Sequence, residues 1–178
     1  VTSIDYAAFC DCGSLASITI GNSVTSIGHY VFWYCDNLTD VYITDPNTWC
    51  KTHFGSNPMD YAHYLHILDE ADNEMTTLVL DSTVTIIPDY AFRGCTSLTS
   101  VTIGDSVTTI GEGAFRSCKN LTSVTIPNSV TSVSEEAFSG CTSLTNVYYT
   151  GTEEQWNQIS IDSYNDPLTN ATHHFPAC

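Results

Sequence analysis

Two short motifs near the middle of the chain contain the side chains best suited to bind a metal ion. Cys50 and His53 are separated by two residues, and so are His63 and His66. Thiolate sulfur and imidazole nitrogen at this spacing are typical ligands of Zn²⁺, so the four residues would make this segment a small metal module. The alternative is that Cys50 and His63 pack or form hydrogen bonds within the segment, while His53 and His66 lie on the surface.

Other patterns of catalytic residues are weak. The acidic run 69–74 is rich in oxygen donors but lacks the Gly and the terminal Glu spacing of an EF-hand loop. Ser and Thr are abundant, yet the sequence contains no G-x-S-x-G nucleophile elbow and no phosphate-binding Gly loop. We therefore predict no catalytic residue, no metal site and no cofactor, and keep an enzyme built on the Cys/His segment as the weakest of three hypotheses.

The composition restricts the classes of partner. The chain has 178 residues and a net charge of −16, from 20 acidic side chains against four basic ones. Nucleic acids and anionic membrane surfaces need clustered Lys and Arg, so we predict neither as a partner. The sequence has no apolar run long enough to be inserted directly into a membrane. Because it begins within a repeat at Val1, we expect the chain to be part of a longer protein.

A repeated phrase organises the chain and would position all of these residues. Between residues 91 and 144 the same pattern returns every 23 residues, and its columns of identical residues are Phe92, Phe115 and Phe138; Cys95, Cys118 and Cys141; and Leu98, Leu121 and Leu144. A period in this range is typical of a solenoid, in which each unit buries its apolar face only by stacking on its neighbours.

Each repeat has the same internal order of elements. The pattern L-x-x-V-x-I predicts a short strand with one apolar face, and a turn with Gly or Pro follows it. A second apolar pair comes next, and A-F-x-x-C closes the coil as a tight helical or 3₁₀ turn. The predicted fold class is thus a repeat solenoid, a right-handed leucine-rich-repeat superhelix with a parallel β-sheet, short second strands and short helical turns.

The period breaks twice, and both breaks contain a tryptophan. After Ile43, Asp45-Pro46 predicts the start of a short helix bearing Trp49, and a strand should follow at residues 64–68. After residue 149, a capping box predicts a second helix, which bears Trp156. We therefore divide one continuous structural domain into coils at 1–43, the first Trp insert at 44–74, coils at 75–149 and a truncated Trp-helix cap at 150–178.

The two inserts also bear on the metal hypothesis. Aligning Pro58 with Pro167 places Thr172 at the position of His63, so nothing like the first Cys/His segment recurs in the second copy. We expect the second copy to be cut off at Cys178, just where a strand should begin, and His173 and His174 to be exposed. We therefore favour the hypothesis that the Cys/His segment binds no metal ion.

The cysteine column could form disulfides or remain reduced. Equivalent residues of adjacent coils would lie at about 5 Å, which is within disulfide range. Equivalent side chains point in the same direction, however, which fits the S–S dihedral angle poorly. We predict that the column, Cys12, Cys35, Cys95, Cys118 and Cys141, consists of free, packed thiols that behave as small apolar residues. A pairing among Cys10, Cys50 and Cys178 stays open.

The repeats resemble the BspA-like leucine-rich repeats, a 23-residue class found in surface proteins of bacteria and of some parasitic protists. The resemblance rests on LTSVTIPNSVTSVSEEAFSGCTS at residues 121–143 and on its copies, and it covers essentially the whole chain. It implies the leucine-rich-repeat fold, a secreted or wall-attached protein, and in some members adhesion to host or matrix proteins. It implies no shared catalytic residues.

The strand pattern also predicts a binding surface. The x positions of L-x-x-V-x-I point away from the core, and most of them are Thr or Ser. Tyr42 and Tyr148 are exceptions, and aromatic residues are enriched in binding hot spots. We therefore predict a ligand surface that contains Tyr42, Thr102, Thr125 and Tyr148. The alternative is that the two tyrosines only pack against the Trp inserts.

Our leading hypothesis is an extracellular, non-enzymatic interaction module of the adhesion type at the cell surface. It would bind a protein or a glycan through its sheet face and contact neighbouring repeats or domains of the parent chain. The second hypothesis is a structural spacer or stalk within a longer surface protein, because fold alone does not define function.

Overall fold

The computed structural model describes residues 1–177. Their contacts divide them into two compact units, which we call unit 1, Val1–Met75, and unit 2, beginning at Thr76. Every pair of strands in both units is parallel and joins equivalent positions of adjacent coils. The predicted leucine-rich-repeat solenoid with parallel sheets is therefore confirmed.

Unit 1 contains two three-stranded sheets. The six strands are β1 (Ser3–Ile4), β2 (Ser17–Ile20), β3 (Ser26–Ile27), β4 (Asp40–Ile43), β5 (His53–Phe54) and β6 (Tyr64–Ile67). Strands of four residues form the sheet β2-β4-β6, which we call the front sheet, and strands of two residues form the back sheet β1-β3-β5. The first Trp insert supplies β5 and β6, so it continues both sheets of unit 1.

Unit 2 repeats this arrangement with more strands. They are β7 (Thr77–Val79), β8 (Ile86–Ile87), β9 (Ser100–Thr102), β10 (Thr109–Ile110), β11 (Ser123–Ile126), β12 (Ser132–Val133), β13 (Asn146–Tyr149), β14 (Ser160–Ile161) and β15 (Thr172–His174). The front sheet has the order β7-β9-β11-β13-β15 and the back sheet the order β8-β10-β12-β14. Our expectation that the second copy stops before its strand is wrong, because β15 pairs with β13.

Short helices connect the strands in both inserts. They are α1 (Pro46–Lys51), a 3₁₀ helix at Pro58–Asp60, α2 (Glu153–Trp156) and α3 (Asp166–Thr169). Asp45 caps α1 by accepting a hydrogen bond from the amide of Asn47, and Thr152 and Gln155 form the capping box of α2. Both predicted helix starts are therefore confirmed. No helix among the residues that the structure describes has the length and apolar character to cross a membrane.

Columns of identical side chains fill the core of unit 2. The rings of Phe92, Phe115 and Phe138 are fully buried and stack in parallel, with 5.3 Å between the centroids of neighbouring rings. In unit 1, Phe9 and Phe32 stack in the same way at 5.8 Å. Stacking in register follows from the 23-residue period, since it places equivalent side chains one above another.

The cysteine columns are reduced and hydrogen-bonded. All seven cysteines within residues 1–177 are free thiols, and Cys178 lies outside the described residues. The Sγ of Cys118 donates to the carbonyl oxygen of Phe92 at 3.2 Å, and that of Cys141 donates to Phe115 at 3.1 Å. Cys35 makes the same bond to Phe9 in unit 1. The prediction of free, packed thiols is confirmed for Cys35, Cys95, Cys118 and Cys141, whereas Cys12 is free but exposed. Cys35, Cys118 and Cys141 each also satisfy a carbonyl group of the preceding coil.

The closing turn of each coil differs from the predicted helical turn. The A-F-x-x-C segment is a run of tight turns, and one residue within it and the residue just before it adopt left-handed backbone conformations. One left-handed position is held by Ala7, Tyr30, Tyr90, Gly113 and Glu136, and the other by Asp11, Tyr34, Gly94, Ser117 and Gly140. A left-handed residue interrupts a right-handed helix, so hydrogen bonds to the adjacent coil replace those of a helix.

The last A-F-x-x-C turn of unit 2 is completed by a side chain. In earlier coils the amide of Phe92 donates to the carbonyl of Ala114, and that of Phe115 donates to Ala137, each at 2.7 Å. The amide of Phe138 instead donates to Oδ1 of Asn165 at 3.0 Å. Asn165 is buried, and its amide group donates in turn to the carbonyl of Ser134. One asparagine thus substitutes for the backbone of a further coil, as buried polar groups require partners.

Candidate functional site

The two Cys/His motifs do not assemble into a metal centre. Cys50 is buried on α1, and burial raises the pKa of its thiol. His53 begins β5 in the back sheet, whereas His66 lies in β6 of the front sheet. His63 is exposed and His66 is half-buried, which corrects the burial that we assigned to these two histidines. Within residues 1–177, no group of three or more His, Cys, Asp or Glu side chains could hold a metal ion.

The outward side of the front sheet carries an aligned row of side chains in unit 1. Parallel pairing places Thr19, Tyr42 and His66 opposite one another on β2, β4 and β6. The rings of Tyr42 and His66 stack with their centroids 4.5 Å apart and their planes at 17°. We call these three residues the outer row of unit 1. The predicted residue Tyr42 therefore lies at its centre.

Carboxylates hold the imidazole of His66 in place. Its Nε2 lies 2.8 Å from Oδ1 of Asp40, and its Nδ1 lies 2.5 Å from Oε1 of Glu74. When protonated, the ring can donate to both carboxylates at once. A hydrogen bond from Thr39 and then one from His66 lower the pKa of Asp40, against the opposing effect of partial burial. The Tyr42–His66 pair thus presents a fixed aromatic surface beside negative charge.

The outer row of unit 2 contains the other three predicted residues. Val79, Thr102, Thr125, Tyr148 and His174 lie opposite one another on β7, β9, β11, β13 and β15. Tyr148 and His174 stack at 4.6 Å with an interplanar angle of 16°. Thr102 and Thr125 continue the row as hydroxyl-bearing neighbours of this pair. The structure therefore places Thr102, Thr125 and Tyr148 on one surface of unit 2.

The same Tyr–His arrangement occurs in both units. Nε2 of His174 lies 2.9 Å from Oδ1 of Asn146, just as Nε2 of His66 faces Asp40. Asn146 precedes Tyr148 by two residues, and Asp40 precedes Tyr42 by two. Each pair is therefore a stacked tyrosine and histidine next to a side-chain oxygen.

Sequence reasoning missed this second histidine. The alignment on Pro58 and Pro167 placed His63 with Thr172, whereas the strand pairing makes His174 the counterpart of His66. The inserts differ by one residue between the proline and the strand, so a proline-based alignment is one position out of register. Alignment by the tyrosine-bearing strand and the next histidine in the sheet would have found it.

The tryptophans of the two inserts pack against other aromatic residues. Trp156 packs against Tyr149, the inward-facing neighbour of Tyr148, with 5.3 Å between ring centroids. Trp49 packs against Phe54 at 4.8 Å. Tyr42 and Tyr148 stack instead on His66 and His174, which belong to the two inserts, so both tyrosines do pack against the Trp inserts, through histidine rather than tryptophan.

The two adjacent histidines of β15 have opposite surroundings. His174 is exposed, but His173 points inward and its ring lies 4.6 Å from that of Trp156. Burial lowers the pKa of His173, and its Nε2 is buried without a hydrogen-bond partner. His173 occupies the strand position of Leu65 in unit 1. Our expectation that both histidines are exposed is therefore wrong for His173.

The geometry of the outer rows suits binding by contact. Aromatic rings provide large apolar faces at a low cost in conformational entropy, and adjacent Thr, Asp and Asn oxygens can exchange hydrogen bonds with a ligand. In the part of the chain that the structure describes, the side-chain hydrogen-bond partners of the two histidines are Asp40 and Glu74 for His66 and Asn146 for His174, and none of them is a serine, threonine or cysteine. The arrangement therefore offers recognition groups along a flat strand face.

Comparisons with known proteins agree with this fold. The family model of the BspA type leucine rich repeat region matches residues 1–57 and 70–172 in six copies. None of the curated proteins matches the chain. The gap between the two matched segments falls within the first Trp insert, which departs from the 23-residue period.

Solved structures of leucine-rich-repeat proteins are also similar to this chain. A leucine rich cell surface protein from Faecalibacterium prausnitzii shares 33% identity at a TM-score of 0.53, over 83% of this chain and 35% of that chain. A leucine-rich repeat protein from Bacteroides ovatus shares 25% identity at a TM-score of 0.49, over 85% of this chain and 43% of that chain. This chain thus spans less than half the length of either relative. Together with the repeat columns and parallel sheets, the family match shows that the chain belongs to the BspA-type leucine-rich-repeat family.

Proposed function

We propose that this chain is a non-enzymatic, extracellular interaction module of the adhesion type, which binds a protein or a glycan through the outer rows of its front sheets. The observation that carries the proposal is the recurrence of one polar-aromatic arrangement, Tyr42–His66 and Tyr148–His174, at the same sheet position in both units. The repeat itself does not require tyrosine at this position, as Val79, Thr102 and Thr125 illustrate.

The family supports a location at the cell surface. The Faecalibacterium prausnitzii structure with which this chain shares 33% identity is described as a cell surface protein. A surface location would give the outer rows access to host or matrix molecules. The acidic composition keeps such a module soluble and disfavours contact with anionic lipids and nucleic acids.

Binding to panels of immobilised glycans and extracellular proteins tests the proposal. The wild-type chain is compared with the double variants Tyr42→Thr/His66→Thr and Tyr148→Thr/His174→Thr, and with Tyr164→Asn, which removes an exposed tyrosine outside the rows and suits its left-handed backbone. We expect a specific binder whose affinity falls about tenfold or more in at least one double variant and is unchanged in the control. Absence of any binder, or equal binding by all variants, contradicts the proposal.

A structural spacer is the second candidate. It is favoured by one observation, namely that the chain spans only 35% of the length of the Faecalibacterium prausnitzii chain. A spacer would present another domain and would itself bind nothing on either panel. The panels therefore separate the two candidates.

A further inference from the structure

A cluster of exposed aromatic side chains lies in unit 1 away from the outer row. Tyr6, Tyr30, Trp33 and Tyr34 belong to the closing turns of two adjacent coils and are 71%, 46%, 41% and 59% exposed. Their rings meet edge to face, with centroid distances of 5.7 Å for Tyr6–Tyr30, 5.3 Å for Tyr30–Trp33 and 5.4 Å for Trp33–Tyr34. We call these four residues the aromatic corner. Contiguous exposed aromatic surface of this kind is a sign of an interaction site.

Two residues of the aromatic corner adopt a backbone conformation that disfavours any side chain. Tyr30 and Tyr34 have φ angles of 58° and 59°, in the left-handed region. The repeat places Gly113 of unit 2 at the position of Tyr30, and Gly94 and Gly140 at that of Tyr34. Glycine adopts this conformation without strain, so the coil does not need tyrosine there. Other coils hold Ala7, Glu136 and Ser117 at these positions with similar φ angles, so neither the turn nor the core requires an aromatic side chain there.

Unit 2 shows which chemical group suits a tyrosine at this corner. Tyr90 holds the position of Tyr30, and Arg93 holds the position of Trp33. The guanidinium carbon of Arg93 lies 5.9 Å from the centroid of the Tyr90 ring, within the range of a cation–π contact. Unit 1 has Trp33 in place of that arginine, so this turn has no guanidinium of its own to place over Tyr30.

The charge of unit 1 favours a cationic partner. Residues 1–75 contain ten acidic side chains, and Lys51 is their one Lys or Arg. Asp5, Asp11 and Asp36 are exposed and lie within a few residues of the aromatic corner, and the amide of Asp11 donates to the carbonyl of Trp33 at 2.9 Å. A cation placed on these rings is attracted both by their negative faces and by the nearby carboxylates.

We propose that the aromatic corner binds a basic segment of a partner protein. Arginine or lysine side chains of that segment contact the faces of Tyr30, Trp33 and Tyr34, and the neighbouring aspartates pair with their charges. This surface is separate from the outer rows, so the proposal goes beyond the sheet-face function and does not depend on it.

The fluorescence of Trp33 gives a direct readout. Trp49 and Trp156 are buried, so quenching by an added solute reports mainly on the exposed indole of Trp33. The probe is a short peptide alternating Arg and Gly, and its control carries the neutral analogue citrulline in place of each Arg. The variant Trp33→Ser/Tyr34→Gly copies Ser139 and Gly140, which hold the same repeat positions, and it leaves the net charge unchanged. Because this variant lacks the reporting indole, its affinity is measured by peptide anisotropy.

At physiological salt we expect the Arg peptide to bind and to protect Trp33 from quenching, and the citrulline peptide to bind about tenfold more weakly or not at all. We expect Trp33→Ser/Tyr34→Gly to lose about tenfold in affinity, and Tyr164→Asn, which removes an exposed tyrosine of unit 2 outside the outer row, to bind like the wild type. Equal binding by Trp33→Ser/Tyr34→Gly would mean that general acidity attracts the peptide and would overturn the proposal. If only neutral oligosaccharides protected Trp33, the aromatic corner would be a glycan site and the proposal would be overturned. If sedimentation showed that the chain self-associates and that this protects Trp33, the occupant would be a second copy of the chain, which would also overturn it.

Discussion

The thiol of Cys118 donates a hydrogen bond to the carbonyl oxygen of Phe92 in the preceding coil, at a distance of 3.2 Å. The repeated cysteine therefore acts as a donor as well as a small apolar side chain. Burial raises the pKa of the Cys118 thiol well above its ordinary value, because a thiolate in the core would lose its hydration. This thiol should be unreactive in the folded protein.

We predict that a thiol reagent at pH 8 modifies Cys12 rapidly and Cys118 only after unfolding, since Cys12 is exposed. The measurement is the time course of modification by peptide mass spectrometry in a Cys178→Ser background, with denatured protein as the control. Modification of Cys118 at the rate of Cys12, or a disulfide among Cys95, Cys118 and Cys141, would contradict the conclusion that these three thiols are reduced and buried.

The phenylalanine column should dominate the stability of unit 2. Phe115 lies between Phe92 and Phe138, with its ring 5.3 Å from each neighbour. We predict that Phe115→Ala lowers the free energy of unfolding by about 3–5 kcal/mol, through lost burial and the remaining cavity. Denaturant titration measures this loss, and Thr122→Ala at an exposed position is the control. A loss below about 1 kcal/mol would mean that the column is not the core.

The stability of unit 2 should fall in mild acid because of His173. Burial lowers its folded pKa below the unfolded value of about 6.5, so the unfolded chain binds the proton more tightly. Its contribution to stability is therefore complete above pH about 6.5 and decreases as the pH falls below that value.

The variant His173→Leu, which copies Leu65 of unit 1, should remove this part of the pH dependence. Denaturant midpoints between pH 5 and pH 8 measure the effect, with the exposed His174→Thr as the matched control. An unchanged pH profile in His173→Leu would show that the buried ring is not responsible.

Substitutions at two equivalent left-handed positions of the closing turns should affect stability differently. Gly140 has φ +74° and Ser117, one coil earlier, has φ 63°. Gly140→Ala should destabilise the chain by about 1–2 kcal/mol, because a side chain is strained in this region. Ser117→Gly relieves the same strain and should be neutral or slightly stabilising. Thermal unfolding compares the two variants, and equal destabilisation by both would argue against left-handed strain.

The period and caps in the sequence predict most of the fold. The spacing of Phe92, Phe115 and Phe138 predicts the stacked core, and Asp45 and Thr152 predict the helix starts, because these features depend on local chemistry and strict repetition. The left-handed closing turns were missed, since Tyr30, Tyr90 and Glu136 give no local signal for positive φ. The role of Asn165 was missed because its partner is the backbone amide of Phe138, which lies 27 residues earlier in the sequence.

The candidate site was predicted in part. The alternation of the strands places Tyr42, Thr102, Thr125 and Tyr148 on the outward face, and the pairing confirms that placement. The two histidines that complete the site come from inserts of unequal length. Their equivalence depends on the register of strand pairing, which an alignment on a proline does not determine.

A ligand that binds the outer rows should perturb the imidazole rings there, and the six histidines of the chain are suitable reporters of where it binds. The measurement is the two-dimensional NMR spectrum of the imidazole rings during titration with the strongest binder from the glycan and protein panels. We predict that the signals of His66 and His174 shift, while that of His53 in the back sheet stays in place. Shifts confined to His29, next to the aromatic corner, or to His53, with His66 and His174 unchanged, would contradict binding at the outer rows.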